Sequence, residues 1–234
     1  MIKLIGIIGA MQEEIIELKK QIKNIKENTM AGFVFYSGIL NKKDIILVQS
    51  GIGKVNSAIC TTILIEQFNV TKIIFTGVAG GVNNDLNVGD IVISKDLIQH
   101  DVDATAFGAK YGQIPRMNQL EFKSDINLIE LAKKSAKDIF TNEKIVVGRI
   151  LSGDQFVSSI EKIKWLRDKF NGDCVEMEGA SVAHVATLFN IPFVVIRSIS
   201  DKADHSANID FNKFVNIAAN NSKNIVLKML EIMV

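Results

Sequence analysis

Leu4-Ile5-Gly6-Ile7-Ile8-Gly9 is an apolar run closed by a glycine, and the residues behind it change period. A continuous run of this kind fits a strand buried on both faces. Over 12–25 the apolar residues fall at Ile15, Leu18, Ile22 and Ile25, the spacing of an amphipathic helix. The opening run is too short for a membrane span, and Gln12, Glu13 and Glu14 stand where a signal peptide would carry a small-residue cleavage site. It therefore reads as a first buried strand followed by a helix.

The rest of the chain repeats that alternation. Strands are predicted at 33–40 and 44–49, joined by an Asn41-Lys42-Lys43 turn, and at 73–76, 90–94, 145–151, 174–177 and 193–199. Helices are predicted at 55–68, 125–140 with Asp125 as N-cap, 159–170, 179–189 and 210–233. The stretch 100–119 holds no clear period, and loops of that length are usually functional or interfacial. No repeat, low-complexity tract or linker divides the sequence, and both prolines, Pro115 and Pro192, lie between elements. The expectation is one α/β domain over 1–234, built on a central mixed β-sheet flanked by helices.

Apolar residues make up 47% of the 234-residue chain and charged residues 23%, an ordinary globular balance. Lys plus Arg is 27 against 26 for Asp plus Glu, so there is no electrostatic reason to expect nucleic acid or a membrane surface as partner. The two cysteines, Cys60 and Cys174, lack metal-ligand spacing and sit in apolar segments. They read as buried free thiols in a reducing, cytoplasmic compartment.

Ligands in open α/β sheets bind beyond the carboxyl ends of strands. Here the glycines and acids gather after Ile8, Gln49, Thr76, Leu151, Val175 and Ile199, which predicts one composite pocket. Glu13 and Glu14 open the first helix, where acids commonly do no more than complement the helix dipole. Of the two, Glu14 lies at the edge of the apolar stripe and is the one placed to face a pocket. Gly77-Val78-Ala79-Gly80-Gly81 lacks the phosphate-loop pattern. It reads as a tight turn with positive φ, or as a close backbone approach to a neutral ligand.

Cys174-Val175-Glu176-Met177-Glu178-Gly179-Ala180 sets two acids around a methionine inside an apolar passage. Arg197, within the last strand, needs a carboxylate or a ligand, and Glu176 is the candidate partner. Asp201 fits an Asx-turn, a helix cap or a general acid at a pocket rim. The histidines at 100, 184 and 205 share no spacing. His184 reads as packing, and neither a metal site nor a cofactor is suggested. Several carboxylates without a nucleophilic Ser/His set fit glycosyl-bond chemistry, in which a cation-like sugar is stabilised.

Nearly end to end, the sequence resembles the 5′-methylthioadenosine/S-adenosylhomocysteine nucleosidases of the purine nucleoside phosphorylase and uridine phosphorylase superfamily. The resemblance rests on Gly6-Ile7-Ile8-Gly9-Ala10-Met11 with Glu14, Ser50-Gly51-Ile52-Gly53-Lys54-Val55 and Thr76-Gly77-Val78-Ala79-Gly80-Gly81. It continues through Val88-Gly89-Asp90-Ile91-Val92, His100-Asp101, Thr105-Ala106-Phe107-Gly108, Ser152-Gly153-Asp154, Val175-Glu176-Met177-Glu178 and Ser200-Asp201. It implies a nucleoside phosphorylase-like three-layer architecture and hydrolysis of the N-glycosidic bond of a thioadenosine nucleoside, without cofactor. It also implies roles. Glu14 would activate water, Asp201 would protonate adenine at N7, and Glu178 would hold the ribose hydroxyls. Met177, Gly80, Met11 and Ile52 would contact substrate, Phe156 would stack on the base and the Val157 backbone would meet adenine. Glu176, Arg197 and Ser200 would support them. Phe107 and Pro115 would reach the thioalkyl pocket of a partner subunit, so a homodimer is implied.

The sequence also departs from the family pattern. Val78 stands where many relatives carry Ser, Gln12 replaces a common Glu, and 116–122 differs at the expected mouth of the thioalkyl pocket. The alternatives are a phosphate-dependent phosphorylase, a nucleosidase for 5′-deoxyadenosine or a futalosine-type substrate, and a non-catalytic purine-nucleoside sensor. A carboxylate at the nucleophile position favours water over phosphate dianion, for which Arg would be suited.

Overall fold

The computed structural model describes residues 4–202 and 207–233. His205, named in the sequence analysis, lies outside the described residues.

The opening apolar run forms β1 (Ile5–Gly9), buried throughout. It lies between β4 (Lys43–Gln49) and β5 (Lys72–Gly81), parallel to both. Successive side chains on a strand point to opposite faces. Ile5 and Ile7 accordingly enter one apolar core and Ile8 the other, so the strand has no solvent face to mark with polar residues. β3 (Phe33–Leu40) and β4 form the expected antiparallel hairpin. Asn41 and Lys42 both have positive φ (47° and 64°), which suits the primed turns that match strand twist.

The helix expected over 12–25 is shorter. α1 (Gln12–Lys19) ends early, and the chain turns through Asn24 at φ 54° into a strand the sequence reading missed, β2 (Lys23–Met30). Ile22 is buried in the core that α1 serves, whereas Ile25 is exposed. Ile22 thus keeps the helical spacing although it lies past the helix end. Among the described residues β2 pairs only with β3, and Lys23, Lys26, Glu27 and Asn28 keep this edge strand polar, which discourages further pairing.

Two strands run further than their apolar signals. β6 (Ile91–Gln99) continues through Lys95-Asp96 because the buried Asp96 carboxylate is held by Arg149 Nε (2.6 Å) and Nη2 (3.0 Å) from β8 (Ile145–Ser152). β5 carries on through Gly77 to Gly81, and none of its glycines has positive φ. The tight-turn reading of that stretch is therefore wrong. β9 (Cys174–Glu176) and β10 (Phe193–Asp201) follow, and a short β7 (Phe122–Lys123) pairs with β6.

The sheet is mixed, and part of it closes. β5 pairs with β10, β10 with β6, β6 with β8, β8 with β9, and β9 returns to β5 at Gly80 and Gly81. β1, β4, β3 and β2 extend outward from this ring. Helices cover both faces. α2 (Lys54–Glu66) and α5 (Gly179–Leu188) pack Cys60, Leu64, Val182 and Ala186 on one side. α1, α3 (Ile126–Ile139) and α6 (Ala207–Ile232) pack Ile15, Leu18, Leu128, Ala132, Ile225 and Met229 on the other. α4 (Ile160–Phe170) covers a third cluster with Ile163, Leu166 and Phe170. Asp125 caps α3 and Ser159 caps α4 through their side chains, each accepting a backbone N–H that the first turn would otherwise leave open. Among the described residues no helix is long and apolar enough to cross a membrane.

Candidate active site

The ends of β1, β4, β5, β8, β9 and β10 meet at one cavity. Ala10, Met11 and Glu14 enter it after β1, and Ile52 after β4. Val78, Ala79 and Gly80 come from the end of β5, and Gln155, Phe156 and Val157 from the loop after β8. Val175, Glu176, Met177 and Glu178 come from β9 and the turn behind it, Ser200 and Asp201 from β10, and Phe211 from α6.

Glu14 sits three residues into α1 and turns back over the helix start. Its Oε2 accepts from the N–H groups of Ala10 (2.6 Å) and Met11 (3.0 Å), and its Oε1 accepts from Val78 N–H (3.1 Å). Burial pushes this carboxyl up. Arg197 and the three N–H groups pull it down without cancelling that effect, so it stays above its ordinary value. The carboxylate is oriented by donors and still holds a proton more tightly than a solvated glutamate.

Arg197 is 1% exposed on β10. Its Nη2 donates to Glu176 Oε2 at 2.5 Å, and its guanidinium lies 4.0 Å from the Phe75 ring centre. Burial opposes its charge, but Glu176 and Glu14 outweigh that and keep it cationic. Gly77 lies between the partners: a Cβ there would stand 2.5 Å from Glu14 Oε1 and 3.0 Å from Arg197 Nη1. That close approach, not a turn, is why the position takes glycine.

The two acids of the Glu176-Met177-Glu178 stretch separate sharply. Glu176 is saturated. It takes Arg197, the Ser152 hydroxyl and the N–H groups of Glu178 (3.2 Å) and Gly179 (2.8 Å) at the start of α5. Among the described residues Glu178 accepts one protein hydrogen bond, from Gly53 N–H at 2.8 Å. Gly53 has φ 97°, a backbone conformation that favours glycine. Burial and then the neighbouring Glu176 push the Glu178 carboxyl up to about 8. Asp201, 2% exposed, accepts from the Ser200 hydroxyl at 2.8 Å on Oδ2.

The sequence-model of the phosphorylase superfamily matches residues 4–231. The 5′-methylthioadenosine/S-adenosylhomocysteine nucleosidase of Staphylococcus haemolyticus is 45% identical over 231 residues, 98% of this chain and all of the relative. The chain belongs to the 5′-methylthioadenosine/S-adenosylhomocysteine nucleosidase family. Among solved structures, the family member from Neisseria meningitidis in complex with methylthio-immucillin-A superposes with a TM-score of 0.94 at 41% identity, covering 98% of this chain and 99% of that one. The native futalosine hydrolase of Helicobacter pylori superposes with a TM-score of 0.92, also at 41% identity, with 98% of both chains covered.

Against the nucleosidase pattern, Val78 needs no hydroxyl to meet Glu14, because its backbone N–H does so. Its side chain joins Val215, Ala218 and Ala219 in a small apolar cluster that Met11 and Phe211 also touch. Phe107 (91% exposed) and Pro115 lie on the long loop, outside this chain's own cavity. His184 packs as expected, stacked on Phe122 with ring centres 4.6 Å apart. Sequence reasoning does not single out Phe211. It reaches the cavity from α6 and meets Phe156 edge-on at 5.8 Å. An aromatic residue in the first turns of an amphipathic helix gives no local sign of this.

The raised Glu178 carboxyl has a consequence for stability. A carboxyl whose folded pKa exceeds its unfolded value contributes stability that is full below the ordinary 4.5 and is lost as pH rises through about 8. Glu178→Gln keeps an acceptor for Gly53 N–H and has nothing to ionise. Its Tm relative to wild type should therefore be higher at pH 9 than at pH 5. Thermal melts showing the same difference at both pH values would mean that Glu178 titrates as an ordinary acid.

Proposed function

We propose that this chain hydrolyses the N-glycosidic bond of 5′-methylthioadenosine and S-adenosylhomocysteine, releasing adenine and the thio-substituted ribose. The observation that carries the reading is Glu14, a buried carboxylate aimed by three backbone N–H groups and lining the same cavity as Asp201 and Glu178. Glu14 takes a proton from a water attacking C1′. The bond from C1′ to N9 breaks, and Asp201 gives a proton to N7 of the departing adenine. Glu178 binds the ribose hydroxyls, and its negative charge complements the oxocarbenium-like sugar. Met177 packs on the ribose and thioalkyl side, Phe156 stacks on the base and the Val157 backbone meets adenine.

Phosphorolysis is disfavoured by charge. The buried cation, Arg197, is tied to Glu176, and a carboxylate occupies the nucleophile side of the cavity. A phosphate dianion there would meet Glu14, while Arg197 is already paired with Glu176. A second reading widens the substrate range to futalosine-type nucleosides, supported by the near-equal likeness to a futalosine hydrolase.

The working form is a homodimer in which Phe107 and Pro115 complete the thioalkyl end of the partner's cavity. Support comes from the exposure of Phe107 and from Val55 and Ile59, which present further apolar surface four residues apart on α2. Cys60 and Cys174 are buried free thiols, with burial pushing Cys60 up to about 12, which supports a reducing cytoplasmic location.

Adenine should appear from methylthioadenosine at the same rate with and without phosphate. Glu14→Gln and Asp201→Asn should each lower kcat by about 10²–10⁴. Adenine appearing only with phosphate, alongside a sugar 1-phosphate, would overturn hydrolysis, and equal rates in all three proteins would overturn the residue roles. Comparing kcat/KM for futalosine in the same assay decides the second reading. Sedimentation should give twice the 25.8 kDa chain mass, and a fully active monomer would contradict the shared thioalkyl pocket.

A further inference from the structure

Two irregular loops form walls of the cavity. One follows β4 and carries Ile52 and Gly53, and the other follows β8 and carries Gln155, Phe156 and Val157. Direct contact between them includes Asp154 Oδ1, which accepts Lys54 N–H at 2.8 Å at the start of α2. A third segment stands behind both. Asp101, just past β6, accepts Lys54 Nζ on Oδ1 at 2.7 Å and Asp154 N–H on Oδ2 at 3.0 Å. Lys54 Nζ also donates to Gln99 Oε1 at 3.2 Å. The three residues close a ring in which each oxygen of Asp101 holds a different loop.

This ring adjoins the groups that face substrate. The residue before Lys54 is Gly53, whose N–H is the donor to Glu178, and two residues after Asp154 comes Phe156. The side chains of Lys54 and Asp101 are 17% and 18% exposed, which shields the pair from much of the screening that weakens surface ion pairs. Burial pushes the Asp101 carboxyl up, but Lys54 and the Asp154 N–H outweigh it and hold the group below its ordinary value, so it stays ionised.

We propose that Asp101 is a positioning residue that clamps the two loops together, fixing Gly53 N–H on the ribose-binding Glu178 and holding Phe156 and Val157 at the base. This rests on the reading of the cavity as a nucleoside site. Asp101 is not among the residues that line the cavity. It acts through Lys54 on one side and Asp154 on the other.

Asp101→Asn leaves one acceptor oxygen for two donors, and Lys54→Met removes one of those donors while keeping the aliphatic stem. Each should raise KM for methylthioadenosine roughly tenfold, the effect of losing one charge-assisted hydrogen bond, with kcat changed less than about threefold. The double variant should be no worse than about the weaker single, since both break the same ring. Lys54→Arg should recover most of the KM that Lys54→Met loses. A KM within about twofold of wild type, multiplying effects, or a fall in kcat at unchanged KM would overturn the clamp. The last of these is the sign of a smaller folded fraction. If wild type releases no adenine, the nucleosidase reading fails. The clamp is then judged on adenine binding by calorimetry, where both variants should weaken Kd by the same roughly tenfold factor and equal affinity overturns it.

Discussion

A buried cation, Arg197, organises the chemistry of this protein. Arg197, on the strand that β5 and β6 flank, is charged in a place where an unpaired guanidinium would cost several kcal/mol. It is held by Glu176, and Glu176 in turn spends its remaining capacity on Ser152 and on the N–H groups at the start of α5. Removing either partner of such a buried pair typically costs about 3–5 kcal/mol, because the other charge is left without compensation. The pair therefore fixes the relation between β9, β10 and α5, and those elements carry Glu178 and Asp201.

The same pair decides the state of the remaining acids. One cation faces Glu176, Glu14 and Glu178, and it is committed to the first. Glu14 and Glu178 are thus desolvated with only partial compensation, and both carboxyls are raised from their ordinary value. A cavity with surplus acid and a tied cation is poorly suited to bind an anion and well suited to bind a sugar that becomes cationic as its bond breaks. Water, being neutral, can enter beside Glu14 without electrostatic penalty. The absence of a Cβ at Gly77 leaves room for the Glu14 carboxylate and the Arg197 guanidinium against β5.

Much of this was legible in the sequence, for reasons that can be named. β1 showed itself because burial on both faces leaves a run without polar residues. The gathering of glycines and acids at six strand ends foretold a composite cavity, since strand ends are where an α/β sheet has backbone free to meet a ligand. The assignment of Glu176 to Arg197 followed from the cost of burying either alone. Other features were hidden by long-range compensation. Asp96 reads as the end of a strand until Arg149, 53 residues away, is seen to satisfy it. β2 has no apolar alternation because it is an exposed edge, and Ile22 kept a helical rhythm beyond the helix. Phe211 and the closure of β5, β10, β6, β8 and β9 into a ring are properties of topology that local pattern does not carry.

In the proposed reaction Glu14 and Glu178 are buried acids that must be ionised to act, one to accept a proton from water and the other to meet a cationic sugar. Below a raised pKa each holds its proton, so activity falls as pH drops. The direct measurement is the pH dependence of kcat/KM for methylthioadenosine, which reports groups of the free enzyme. The account predicts an acid limb lying above the ordinary glutamate value of 4.5 and a rise that continues towards about 8. A profile already on its plateau at pH 4.5 would contradict it.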